Sequence, residues 1–480
     1  MMSADMEKLY QQRLHRYVTA MRNEKPDMVP VRPFVAEFTG VHAGYTCQEL
    51  VHDYQNAFEA ACKCAADFDW DAVVANMVYV WSGLTQAIDL DYYGVPGIHI
   101  PADTGFQYRE PPQEDAFMKP DEYDQLIEDP TNYMLGVWLP RVASSVQPLG
   151  EPTTMENNLS FLKGGMAMMQ YFGSFGGQIE RLRRESGTVS AIAGMFKAPL
   201  DILGDKFRGY LGLVEDLMER PKKVMAACEA LMPHLYHVAT TTADPNKQVP
   251  IGYWMHRGCV PFVSFDQFKE FYWPTVKPII KQLWADGHQT LFYAEGNWDY
   301  HLDSFAELPD LSIVYHVDQG DIFKVHKALG HKFCISGGIP NVILAHRPAD
   351  EVREYTKKVI DGVARDGGYI VDAGAIMQND TRVENLRAMT EAAREFGVYA
   401  DGKSSVPAEV GPTLHEADLP EDGFMPPLRE GALRPGVCVP WEKQRAQLPN
   451  LTGNPALVEN VWENIDALAY TYIWQILLSF

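Results

Sequence analysis

From residue 187 onward the chain repeats one unit: a short apolar run, a turn, and a stretch whose apolar residues recur at helical spacing. Alternation between those two periods marks consecutive βα units, whose strands pair in parallel and are buried between helices. Candidate strands lie at 188–193, 249–255, 289–295, 312–317, 332–336 and 369–371. Two more, 29–38 and 70–76, flank a helical stretch at 56–67. Helices are expected over 205–218, over 265–285 behind a Ser264 cap, and over 350–365 and 383–396, with Pro274 and Pro278 as kink or restart points. Eight βα units predict the α/β class and a closed (β/α)8 TIM barrel, which leaves no strand edge unpaired. The rival, an open doubly wound sheet, usually carries a Gly-rich phosphate loop after its first strand, and VRPFVAEFTG has none.

The 480 residues fit one decorated barrel. Residues 1–27 read as an N-terminal helix, with Leu9, Leu14, Tyr17, Val18 and Met21 on one face and no apolar core of a signal peptide. The barrel takes 28–400, with an insertion at about 95–187 that is expected to add helices over one end. Within it, 164–177 mixes glycine, methionine and aromatics, suited either to a lid or flat-cofactor surface or to a packed irregular helix and loop. A C-terminal extension, 401–480, holds nine prolines before or at the start of its helical end and is expected to pack across the barrel. Leu457 to Phe480 is apolar but interrupted by Glu459, Glu463 and Asp466, so it reads as a packed helix, and no segment is expected to span a bilayer. A net charge of −23 repels phosphate backbones and anionic lipid, which argues against nucleic acid and membrane surfaces as partners. Seven scattered cysteines fit reduced thiols and a cytoplasmic location.

In such a barrel the chemistry sits at the C-terminal strand ends. The polar residues expected there are Glu37, Asn76, His256, Arg257, Tyr293, Glu295, His316, Asp318 and Asp372, with Asn297, Trp298, Gly337 and Gly338 along the rim. Asp318 and Asp372 could instead cap the helices that follow. Glu295 and His316 come from neighbouring strands, and their oxygen and nitrogen donors suit an open zinc site. Its third ligand would be His256, Glu37, Asp318 or Asp372. The metal-free alternative uses Glu295, His316 and Tyr293 as acid/base groups around a phenolic or carbonyl oxygen.

The runs IAGMFKAPLDILGD (192–205), VSFDQFKEFYWPTVKPII (263–280) and CISGGIPNVILAHRPADEVREYTKKVIDGVARDGGYIVDAG, together with Gly296 and TRVENLRAM, resemble the uroporphyrinogen decarboxylase superfamily over about residues 28–397. The resemblance implies a (β/α)8 barrel and one of two chemistries, decarboxylation or cobalamin-dependent methyl transfer. The decarboxylase presents clustered arginines in its N-terminal strand loop, whereas Arg32 stands alone here. The thiol-methylating branch holds zinc with His-x-Cys-Gly on the fifth strand and Gly-Cys after the eighth. This chain has Tyr293-Ala294-Glu295-Gly296 and Gly374-Ala375 in those places. Replacing soft thiolates by oxygen and imidazole suits a site that polarises oxygen. By resemblance the nearest kind is therefore the methyltransferase I component of anaerobic aryl-ether O-demethylases, which passes methyl from a methoxyarene to cob(I)alamin on a separate corrinoid protein. No Asp-x-His-x-x-Gly is present, so that cobalamin would come from the partner. A phenolate leaves poorly unless its oxygen is protonated or bound to a Lewis acid. Tyr293, Glu295, His316 and His256 are the expected catalytic groups, and Glu37, Asn76, Trp254, Arg257, Asp318 and Asp372 the substrate contacts. Trp81, Trp254 or Trp298 would stack on the ring. The alternatives are methylcobalamin-dependent transfer to another acceptor, methyl-halide dehalogenation, a decarboxylase-like lyase, and a non-catalytic binding protein.

Overall fold

Six strands form one continuous parallel sheet: Met195–Lys197, Ile251–Met255, Thr290–Ala294, Ile313–Val317, Cys334–Gly337 and Tyr369–Ile370. They appear in a computed structural model that describes residues 4–74, 89, 93–109, 113–148, 150–402 and 423–479. Asn76 and Trp81 lie outside the described residues. Two further strands close the ring. Val371, at the end of the eighth strand, pairs in parallel with Val31, and Phe34 pairs with Val74. Ala72–Val73 then pairs with Val189–Ser190, the first half of the strand that Met195–Lys197 completes. Backbone hydrogen bonds carry the closure, from Arg32 N to Val371 O at 3.1 Å, Val35 N to Val74 O at 3.1 Å, and Ala191 N to Val73 O at 3.0 Å. Eight parallel strands therefore form a (β/α)8 barrel, and the central ones are buried on both faces along their whole length.

The barrel interior is a separate apolar cluster that includes Phe34, Met195, Trp254, Leu291, Tyr293 and Val314. Helix Ala4–Met21 plugs it at the N-terminal strand ends, inserting Leu14, Tyr17, Val18 and Met21. The Tyr17 hydroxyl donates to Ala191 O at 3.0 Å. With that end filled, the open end of the lumen is the C-terminal one.

Helix Val383–Phe396 has its expected bounds, and Ala349–Val363 nearly so. The helical stretch from Phe265 to Ala285 runs through the turn Phe268–Tyr272, and Ser264 with Gln267 forms a reciprocal cap at its start. Three expectations need correction. The third strand does not stop at Ala193. It breaks at Gly194, whose φ is +78° and whose added Cβ would meet Ala239 O at 2.5 Å, and then resumes to Lys197. The following helix starts at Pro199 rather than at Asp205 and passes through a π turn at Leu203–Arg208. Glu37 does not extend the first strand; it opens helix Glu37–Ala43. Residues 164–177 are helical, as parts of helices Met155–Gly173 and Phe175–Ser186, with Met168 and Tyr171 buried, Tyr171 5.1 Å from Tyr54, and Met166 exposed. The C-terminal helix Pro455–Ser479 lies on the body of the protein, where the Trp474 ring stacks on His234 at 4.9 Å and its indole donates to Thr131. All seven cysteines are free and buried. No described helix is long and apolar enough to cross a membrane.

Candidate active site

Strand alternation fixes which side chains enter the lumen. Phe196 stacks on Tyr253 at 4.7 Å, and the Tyr253 hydroxyl reaches Tyr272 on the outer helix, so these two point outward. Lys197 and its register partner Trp254 therefore point inward. Tyr293 and His316 are register partners on the next pair of strands. Their rings stack 4.9 Å apart, Phe34 lies 4.4 Å from Tyr293, and Trp254 lies 5.9 Å from it. These rings make an aromatic floor. Two residues further along each strand, about 6–7 Å nearer the mouth, come His256, Glu295 and Asp318.

His256 is the centre of that upper layer. Its Nδ1 lies 2.7 Å from Asp205 Oδ2 and its Nε2 3.2 Å from Glu295 Oε2. Burial favours the neutral ring, but the Glu295 and Asp205 carboxylates outweigh it, and the His256 pKa is raised. The imidazolium donates from both nitrogens. Asp205 is held well below the usual carboxylate range: burial opposes its charge, and the His256 and Arg257 cations prevail. Its other oxygen accepts from Arg257 Nε at 2.7 Å. Beneath the pair, Asp201 accepts the backbone N–H groups of His256 at 3.1 Å and Arg257 at 2.6 Å, and the Tyr272 hydroxyl at 3.0 Å. Burial pushes Asp201 up to about 6. The Glu295 side chain is 39% exposed, so it can leave His256 Nε2 to an incoming ligand atom.

The expected metal pair does not form. His316 is fully buried, with Nδ1 3.0 Å from Ser336 Oγ and Nε2 3.0 Å from the Gly374 carbonyl. Burial and the nearby Arg32 hold its pKa well below the ordinary value, so the neutral ring donates from Nε2 and accepts at Nδ1. No nitrogen is left for a metal, and Glu295 stands one layer higher, bonded to His256. Among the described residues no group of three or more His, Cys, Asp or Glu side chains has metal-holding geometry. Zinc does not fit these donors. His316 belongs instead to a buried network in which Arg32 donates to Ser336 Oγ at 2.9 Å and lies 3.4 Å from Asp372. Burial raises Asp372 to about 7, with Arg32 opposing.

The other expected residues divide. Arg257 joins the His256 cluster through Asp205, and its guanidinium lies 4.9 Å from the Phe262 ring. Trp254 is in the floor. Asp318 accepts the Gly296 N–H at 2.8 Å, at a turn where φ is +91°, and burial lifts it to about 6. Glu37 is buried beneath the segment at residue 106, accepting the Phe106 N–H at 3.3 Å, and burial raises it to about 7. Trp298 is buried and donates to the Glu295 carbonyl at 2.7 Å, so it supports the strand end and offers no stacking face. Asp201, Asp205 and Lys197 were not anticipated. Lys197 is 8% exposed and makes no hydrogen bond or ion pair to the described residues.

A family model described as uroporphyrinogen decarboxylase (URO-D) matches residues 152–396. Among solved structures, 23 chains match. One is a methyltransferase from Methanosarcina mazei, with a TM-score of 0.52 and 14% sequence identity, over 79% of this chain and 98% of that one. At that identity the likeness concerns the fold. No curated protein sequence matches.

Proposed function

Because the chain belongs to the uroporphyrinogen decarboxylase family, we propose that it is a methyltransferase, taking methyl from a methoxylated aromatic and giving it to cob(I)alamin on a separate corrinoid protein. The fold it shares with the Methanosarcina mazei methyltransferase supports the class. The observation that carries the reading is His256, a proton-bearing imidazole set between two carboxylates at the lumen mouth, one layer above an aromatic floor. The reduced corrinoid of the partner supplies the nucleophile that accepts the methyl group. Trp254 and its neighbours hold the ring of the donor. The ether oxygen takes the place of Glu295 on His256 Nε2. As the carbon–oxygen bond breaks, the electron pair stays on oxygen and the Nε2 proton moves to it, so a neutral phenol leaves and not a phenolate. Asp205 keeps the ring oriented through Nδ1, and Asp201 fixes the backbone at 256–257. His256 regains its proton from solvent through the exposed Glu295.

The test mixes the protein with a reduced corrinoid protein and 4-methoxybenzoate, vanillate or guaiacol and follows methyl–cobalt absorbance. Absence of any change with every methoxyarene sinks the reading. A methyl-halide reaction would be told apart by His256→Gln, because halide leaves without a proton and its transfer would survive the substitution.

A further inference from the structure

Lys197 closes the third strand, points into the lumen beside Trp254, and is only 8% exposed. A buried ammonium is costly unless a counter-charge accompanies it. The chain as a whole carries −23, yet the carboxylates of the His256 cluster, among the described residues, are engaged with other groups. Asp205 gives one oxygen to His256 and the other to Arg257. Asp201 accepts two backbone N–H groups and Tyr272. Glu295 is on His256. Arg32 cannot serve in place of Lys197, since it is fully buried with Asp372 and Ser336. The charge of Lys197 is felt by both Asp205 and His256, so it belongs to the same mouth.

Resting on the methyl-transfer reading, we propose that the donor is a methoxylated aromatic monoacid whose carboxylate pairs with Lys197 while its ring lies on Trp254 and its ether oxygen meets His256. A polyacid would place its further charges against Asp201, Asp205 and Glu295, so a single carboxylate suits this mouth.

The test is calorimetric titration of the whole protein with 4-methoxybenzoate, with benzoate, and with the neutral 4-methoxyacetophenone, in wild type, Lys197→Met and Lys197→Arg. Wild type should prefer the acid over the ketone by roughly ten- to hundredfold. Lys197→Met should abolish that preference and Lys197→Arg should keep part of it. Equal affinity of wild type for acid and ketone, or an undiminished preference in Lys197→Met, overturns the proposal. Methionine removes, at similar length, a buried charge that has no hydrogen-bonded or ion-paired partner among the described residues, so its Tm should equal or exceed that of wild type. Should it fail to fold, Lys197→Gln is judged by the same two outcomes. Benzoate separates this proposal from the one it rests on. If its binding depends on Lys197 but no methoxyarene yields methyl transfer, the anion site stands and the methyl-transfer reading falls. If acid and ketone are demethylated alike, and equally by Lys197→Met, the reverse holds.

Discussion

At the scale of single residues, the proposed chemistry depends on a proton kept on His256 by carboxylates on either side. Its folded pKa is raised, so the proposed general acid is present below that value and disappears as pH climbs through it. Turnover should therefore fall on the alkaline side. In Glu295→Gln, with one of the two stabilising charges gone, that fall should begin at lower pH, which a kcat–pH profile would show. His256→Gln should lower kcat by about 10²–10⁴-fold for an aryl ether. Stability follows the same sign: the contribution of His256 is complete below the unfolded pKa of about 6.5 and is lost as pH rises through the folded one. His256, Arg257 and Glu295 were legible as strand-end residues because they sit where an apolar run meets a turn. Their partners Asp201 and Asp205 were not, since acids in the first turns of a helix ordinarily serve its dipole. His316 shows the opposite failure. A histidine at a strand end resembles a ligand in sequence, and only the positions of Ser336 and Gly374 reveal that both nitrogens are already bonded.

At the scale of elements, most strands could be read from their apolar runs, and the errors fall where the backbone does something that residue type alone does not announce. Gly194 looks like the end of a strand and is a break within one, which hid Lys197. The π turn at Leu203–Arg208 widens the helix after the third strand at the turn that carries Asp205, a placement common at functional sites. Gly337, the last residue of the seventh strand, has the opposite character: its φ of +80° is legible only as a glycine, but its neighbours make it indispensable. A Cβ there would lie 2.6 Å from Val317 O and 2.9 Å from the His316 ring. Gly337→Ala should cost about 1–2 kcal/mol from the left-handed backbone alone, and more from the contact. Thermal unfolding should show a lowered Tm. Ser264→Ala, removing a reciprocal cap on the helix that carries Tyr272, should cost about 1 kcal/mol and leave the pH profile of turnover in place.

At the scale of the whole molecule, counting βα units was enough to expect closure, but not to find what ties the seam. That tie is Asp71, fully buried at the entry to the second strand. Its carboxylate accepts the Val31 N–H of the first strand at 2.8 Å, pairs with Arg16 of the plugging helix, and lies 3.0 Å from Arg394 of the last barrel helix and 3.9 Å from Arg13. The first and last units and the plug are thus joined at one side chain, between residues 323 positions apart, which no local pattern could connect. Burial opposes the charge of Asp71, but Arg394, Arg16 and Arg13 prevail and its pKa is lowered. A depressed carboxylate contributes stability that is present above its unfolded pKa of about 3.9 and is lost as pH falls through the folded value. Asp71→Asn leaves three guanidinium groups without their shared anion, and breaking a buried pair in this way costs about 3–5 kcal/mol. Denaturant unfolding at neutral pH should therefore show a large fall in the midpoint, and the variant should lose part of the wild-type dependence of stability on pH below about 4. Retention of the wild-type midpoint would mean that the backbone ladders close the barrel without this tie.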